Sequence, residues 1–504
     1  MEAPAETQLV GQRGWLESAR ACLQSPWLVA FLLLIGILAR ARYYGVGLSF
    51  WYDEAFLLVP VYERSAAELL GPLPSRVIIP PLFLWLLKGT YLAAGPGELA
   101  MRLPAFTAGL LGLFLFVPAA IRLVGRPAGF WAAALACLSV HHLMHSSEVR
   151  CYTVDFLSTV LILWAGCAYL RAPSLRTARG AGAALFALAL AAPWFSFSSV
   201  LVFAAVAMAL LADNWQRGDR PRWLFALGLM TTLGLSVAAL WFVQARHMYY
   251  PGLVDHFRGC WDGFPASWAP LTVAGWSLRS FIGLGHYAST DLGIPLLPLG
   301  VWGAVVLWRQ SRPIALLLIG PCLITYAAAL ASKYPFSDRT IFFLAPCVWC
   351  LAMAGFWDCW QRLAHGWRAL LAPALLAVML AVSFIKLAKD GLQPLARAEF
   401  REALCYVHDH REPGDQALFW CSDINRVYFG HVFANVENDC LGEDAQSVAA
   451  RLGNCRLWIV APTIGVDAVT APFRRLPMRE AVHRSYWGLE VIRFDPVGLG
   501  EGSF

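Results

Sequence analysis

Apolar runs of roughly 17–25 residues, the length a helix needs to cross a bilayer, recur along most of this chain. The spans read from the pattern are 26–43, 103–121, 128–145, 152–170, 180–193, 195–212, 223–243, 294–308, 313–332, 340–360 and 369–387. They predict an α-helical polytopic membrane protein with about 11 crossings, in a range of 11–13. The weakest pair is 180–193 and 195–212, for which a re-entrant hairpin is the alternative. Residues 80–95 are apolar but short and interrupted by Lys88. With Pro80 and Pro81 in the first turn, where proline is tolerated, they predict a helix lying in the membrane interface.

Charge gives the bundle a direction. With the N-terminal segment 1–25 (Arg13, Arg20) in the cytoplasm, inside loops collect Arg122, Arg126, Arg171, Arg176, Arg179, Arg217, Arg220, Arg222, Arg309, Arg312, Arg362 and Arg368. Acidic residues then fall mainly outside, which is the positive-inside pattern. The first run reads as a signal anchor with no cleavage site. The outer face carries loops 44–102 and 244–293 of a transmembrane domain, 26–389, followed by a piece, 390–504, with alternating helix and strand signals. Helices are expected at 397–410 and 442–452, and strands at 417–421, 457–461 and 489–494, which predicts a small extracytoplasmic α/β domain.

Composition narrows the class. The chain is 59% hydrophobic and only 14% charged, and its net charge of +6 is modest, so nucleic acid is not an expected partner. Of 13 cysteines, Cys405, Cys421, Cys440 and Cys455 lie in the C-terminal domain, where an oxidising compartment would permit disulfides and the sequence chooses no pairing.

Where charge is scarce, each polar cluster needs a reason. Asp53-Glu54 is an acidic pair bracketed by aromatics just beyond the first span. The turn between the third and fourth crossings holds His141, His145, Glu148, Arg150, Tyr152 and Asp155. If the fourth helix starts near Glu148, then Glu148, Tyr152 and Asp155 share one stripe. An intramembrane carboxylate such as Asp155 is costly and marks function by default. Lys333 and Arg339 bring positive charge to the side where it is depleted, which suits a phosphate. Arg258 lies in a loop rich in aromatic and basic residues. His141 and His145 at i, i+4 are weak metal candidates, because histidines at helix ends near headgroups are common without metal.

In order along the chain, Asp53-Glu54, the paired prolines, Arg102-Leu103-Pro104, Ser147 to Tyr152, and Tyr334 to Arg339 with Leu344-Ala345-Pro346 resemble the GT-C-type membrane glycosyltransferases related to family 39. That group includes protein O-mannosyltransferases and aminoarabinose transferases. The resemblance implies transfer of a sugar from a polyprenyl-phosphate carrier to a protein, lipid or glycan acceptor outside the plasma (inner) membrane, with inversion. It implies Asp53 as general base, Glu54 as its orienting partner or an acceptor contact, Asp155 as a second acid, and Arg339 or Lys333 on the carrier phosphate. Glu148, Arg150, Tyr152 and Arg258 are further substrate-binding candidates. Relatives carry Glu-Lys or His before the paired prolines, where this chain has Ile78-Ile79; only Arg76 offers a replacement. No cofactor is required by this chemistry. The rival reading is a lipid or lipid-linked-sugar transporter, against which stand the charge-poor midplane and the lack of a repeat.

Overall fold

The structure is a computed structural model. It describes residues 25–73, 77–218, 220–248, 252–289, 293–363, 371–392, 398–419, 422–429 and 455–497. Helix α1 (Pro26–Gly45) leads to a short helix α2 (Tyr52–Glu63), then α3 (Pro81–Ala94) and the long α4 (Glu98–Val124). Helices α5 (Arg126–Leu138), α6 (Val140–His145), α7 (Tyr152–Leu170), α8 (Leu175–Phe195) and α9 (Ser199–Arg217) follow. Next is α10, an apolar helix over Arg220–Met248 with a π turn at Trp241–Ala245. The bundle closes with α11 (Leu253–Trp261), α12 (Pro270–Ser289), α13 (Gly293–Gln310), α14 (Arg312–Leu330), α15 (Ala345–Arg362) and α16 (Leu371–Leu392).

Among the described residues eight helices are long and apolar enough to cross a membrane, or nine if α12 and α13, which lie at 102° to each other, form one span. The chain is thus a multi-pass membrane protein, with fewer qualifying helices among the described residues than the eleven spans read from sequence. Three differences have local causes. The segment 128–145 breaks at Ser139, whose side chain caps α6 by accepting from the His142 amide. At that break the buried Arg40 guanidinium takes the carbonyls of Ala136, Cys137 and Ser139. Residues 270–289, expected in a loop, form a helix that buries Trp276, Ser280, Leu284 and Ala288 at intervals of four, a stripe facing the core. Residues 180–193 belong to a full helix, α8 of 21 residues, and not to a short hairpin arm.

The 14-residue α3 falls short of a crossing. Its Lys88 ammonium donates to the Val61 and Tyr62 carbonyls at 2.8 and 3.2 Å, satisfying the carbonyl end of α2. Glycines set the tightest helix contact: a Cβ on Gly303 would meet the Leu351 carbonyl, and one on Gly355 the Leu299 carbonyl, so α13 and α15 touch backbone to backbone.

The C-terminal unit starts with α17 (Phe400–His410), then β1 (Gln416–Phe419), α18 (Ser422–Phe429), β2 (Leu457–Pro462), α19 (Val466–Arg474), β3 (Met478–Tyr486) and β4 (Leu489–Pro496). The sheet order is β1-β2-β4-β3, with β1 parallel to β2 and the other pairs antiparallel. Period-two alternation sends Trp458 and Val460 to one face with Leu404 and Val407, and Leu457, Ile459 and Ala461 to the other with Phe473. The first face continues into α2 and α3, sharing Phe50, Leu57, Leu58, Phe83 and Leu84. Polar contacts fix the seam: Arg401 bridges Glu98 and the Gly47 carbonyl at 2.9 and 3.0 Å, and the Tyr428 hydroxyl accepts from the Phe50 amide and donates to Glu98. Burial and the Glu98 charge push the Tyr428 phenol far up, so it stays a donor. Strand β3, edged with Arg479, Glu480, His483 and Arg484, lacks the apolar alternation that marks a strand in sequence. The expected helix at 442–452, with Cys421 and Cys440, lies outside the described residues; Cys405 and Cys455 form no disulfide among the described residues.

Candidate active site

Asp53 and Glu54 open α2, where the positive end of the helix dipole favours acidic side chains. Neighbours on a helix point about 100° apart, and the two carboxylates part accordingly. Glu54 turns inward and is 3% exposed. It accepts from the Trp51 amide at 2.9 Å and the Val149 amide at 2.7 Å. Arg102 grips it with both ends of the guanidinium, at 2.8 and 3.1 Å. Arg102 also donates to the carbonyls of Leu48 and Ser49. Glu54 thereby ties α2, α4 and the turn before α7 together.

Asp53 turns the other way, into a cavity of about 430 Å³ with its mouth included. The wall holds Tyr43, Leu48, Ser49, Trp51, Asp53, Glu54, Arg102, Ser147, Glu148, Arg150 and Arg339. Arg339 Nη1 is 2.5 Å from Asp53 Oδ2, and Arg150 Nη2 is 3.8 Å from the same oxygen. Arg150 also donates to the Asp53 carbonyl oxygen. The Arg339 guanidinium sits 4.8 Å from the Trp261 ring and 6.0 Å from that of Tyr152. It enters from a 3-10 turn, Asp338–Leu344, that begins with Asp338 at a φ of 43°. Glu148 is held by Nδ1 of His145 at 2.9 Å, and Nε2 of that ring is 2.6 Å from the Tyr287 hydroxyl.

Five of the twelve residues singled out by sequence therefore meet in one cavity wall: Asp53, Glu54, Glu148, Arg150 and Arg339. Tyr152 packs behind them, its ring 4.7 Å from His145. The stripe expected for Glu148, Tyr152 and Asp155 does not form. Helix α7 begins at Tyr152, so Glu148 lies in the preceding turn while Asp155 sits in the first turn of the helix. Asp155 is absent from the cavity wall and bonds instead with the side chains of Ser196, Ser198 and Cys151. Lys333 is exposed beyond the end of α14, and Arg258 pairs with Asp255 on α11 at 2.9 Å. Neither lines the cavity, and Arg76 lies outside the described residues. The His141 ring stacks on Tyr287 with centroids 4.0 Å apart, and both nitrogens of His145 are engaged. Among the described residues no group of three His, Cys, Asp or Glu side chains is arranged to hold a metal ion.

Arg102 entered the sequence reading only as part of a motif, not as a site residue, and Trp261 and Tyr287 were not named there. Arg102 carries the signal that marked Arg339, a cation at the end of a span where positive charge is depleted. Trp261 carried no signal beyond an aromatic-rich loop.

This helical bundle, with an acidic turn after its first helix and a small α/β unit seated on that turn, shares its overall fold with solved membrane proteins. In particular, the chain is similar to two crystal structures of ArnT, an aminoarabinose transferase from Cupriavidus metallidurans. The apo form superposes with a TM-score of 0.55 at 15% identity over 94% of this chain and 99% of that one. The form bound to undecaprenyl phosphate gives 0.53 at 14% identity over 93% and 98%. The Archaeoglobus fulgidus oligosaccharyltransferase, solved with Zn and sulfate, gives 0.53 at 13% identity over 88% of this chain and 69% of that one. No protein-family model matches the sequence, and no curated protein matches it significantly.

Proposed function

We propose that this protein is a membrane glycosyltransferase that moves a sugar from a polyprenyl-phosphate carrier to an acceptor hydroxyl, with Asp53 as general base. One observation carries the reading: in this fold, a carboxylate and two guanidinium groups converge in a single cavity, with Asp53 facing Arg339 and Arg150. Glycosyl transfer needs those charges. Asp53 accepts the acceptor proton as the acceptor oxygen bonds to the anomeric carbon. The bond from that carbon to the carrier phosphate breaks, and its electron pair leaves with the phosphate. Two preformed cations at the developing charge lower the barrier. A single displacement inverts the anomeric centre.

In this reading the phosphate competes with Asp53 for Arg339, so carrier binding frees the carboxylate for the acceptor. Glu54 holds the turn in place and so orients Asp53. The basic residues at the opposite helix ends orient the N-terminus to the cytoplasm of a plasma (inner) membrane and the cavity and C-terminal unit to the outside. The similarity to an ArnT crystallised with undecaprenyl phosphate supports a carrier of that class. The test is consumption of undecaprenyl-phosphate sugars by the purified protein and by its Asp53→Asn variant. Loss of transfer in that variant alone is expected; a fully active variant contradicts the assignment.

A further inference from the structure

Three acidic side chains line the cavity, and each is held in a different way. Asp53 faces guanidinium groups, and Glu54 is clamped by Arg102 and two backbone amides. Glu148 is held by an imidazole, with His145 Nδ1 at 2.9 Å from Oε2. The other ring nitrogen faces the Tyr287 hydroxyl at 2.6 Å. A neutral imidazole has one donor and one acceptor nitrogen. The series Tyr287 O–H to His145 Nε2, then Nδ1–H to Glu148, is therefore complete with an uncharged ring. Packing locks it: His145 is 2% exposed, Phe342 lies 5.1 Å from its ring, and His141 stacks on Tyr287.

We propose that Glu148 is the sugar-recognition group of the cavity, accepting a hydrogen bond from a hydroxyl of the donor sugar, and that His145 and Tyr287 are the positioning residues that aim it. The proposal rests on the glycosyl-transfer reading above. An ionised carboxylate accepts hydrogen bonds and donates none, and its two oxygens offer roughly four lone-pair sites. It repels a phosphate, so of the parts of a polyprenyl-phosphate sugar only the hydroxyl-bearing ring suits it. Glu148 shares the cavity wall with Arg150 and Arg339. A phosphate on those guanidinium groups brings its sugar within the same small space. A polar group positioned for a hydroxyl discriminates against a ligand that lacks one, which makes this relay a determinant of the preference for loaded over empty carrier.

The experiment compares the affinities of the full-length protein for bare undecaprenyl phosphate and for the best-bound member of a panel of undecaprenyl-phosphate hexoses and pentoses. Glu148→Gln lowers the ratio of loaded to bare affinity about tenfold, the loss of one hydrogen bond to a charged group. Affinity for the bare carrier does not fall, because the substitution removes a charge that repels the phosphate. His145→Leu lowers the ratio likewise, whereas His145→Asn, whose amide donates from the place of Nδ1, keeps the wild-type ratio. A ratio unchanged in Glu148→Gln overturns the proposal, as does an equal fall in both affinities in Glu148→Gln and His145→Leu. A wild type that binds bare and loaded carriers equally also overturns it and leaves the carrier reading intact. A wild type that binds no carrier overturns both.

Discussion

Arg339 and Asp53, far apart in sequence, meet with Nη1 and Oδ2 2.5 Å apart in the cavity between α2, α4 and the turns before α7 and α15. In the proposed mechanism each is partnered by substrate in turn, Arg339 by the carrier phosphate and Asp53 by the acceptor hydroxyl. Arg339→Ala should raise the donor KM and lower kcat, with kcat/KM falling about 10²–10³-fold, the scale of a lost charge-stabilising donor. Arg339→Lys should recover only part, because an ammonium lacks the fork that grips two oxygens. Steady-state kinetics with the preferred donor checks both; wild-type kinetics in Arg339→Ala would remove Arg339 from the site.

The Glu54–Arg102 pair makes a separate prediction, about stability. Both side chains are almost fully buried, and removing one partner strands the other. Glu54→Gln or Arg102→Met should each cost about 3–5 kcal/mol, seen as a marked fall in the thermal midpoint in detergent. The double variant Glu54→Leu/Arg102→Met should lose less than the sum of the singles, because neither charge is then left unpaired. Strict additivity would mean that the two do not act as a pair.

The contact between α13 and α15 predicts a fold defect without chemistry. Gly355→Leu places a side chain on the Leu299 carbonyl, and monodisperse protein should not be recovered by size-exclusion chromatography. Gly180→Ala, where an added Cβ meets nothing within 4 Å, serves as the control and should behave as wild type.

Tyr428 ties the C-terminal unit to the backbone just before the acidic turn, through the Phe50 amide at 2.6 Å. Tyr428→Phe removes that acceptor and the donor to Glu98, at a cost of about 1 kcal/mol. The variant should be cut faster by limited proteolysis and show reduced kcat with donor affinity retained. Unchanged cleavage and turnover would make the seam a passive contact.

Much of this organisation was legible in the sequence, for reasons the structure makes plain. Long apolar runs located α1, α4, α7, α14 and α15 because a crossing needs an unbroken hydrophobic length. Charge scarcity exposed Asp53, Glu54, Glu148, Arg150 and Arg339, since each polar group there requires a partner. Helix α12 was missed because Ser277, Arg279, Ser280 and His286 dilute its hydrophobicity while its buried stripe repeats every four residues. The break at Ser139 was missed because Arg40, which takes the freed carbonyls, sits far upstream inside another apolar run. Asp155 was legible as a carboxylate within a span, but its Ser196 and Ser198 partners were not, because they come from the distant turn between α8 and α9. Strand β3 escaped because an edge strand needs little apolar surface.

The central claim is that Asp53 performs the proton transfer in sugar transfer from a polyprenyl-phosphate carrier. The direct measurement follows turnover of a panel of undecaprenyl-phosphate sugars by wild type and Asp53→Asn, with a membrane extract as acceptor pool and donor binding measured in parallel. The account predicts that wild type consumes one donor with inversion, while Asp53→Asn binds it and transfers nothing. Transfer by Asp53→Asn at the wild-type rate, or a product with retained anomeric configuration, would contradict it.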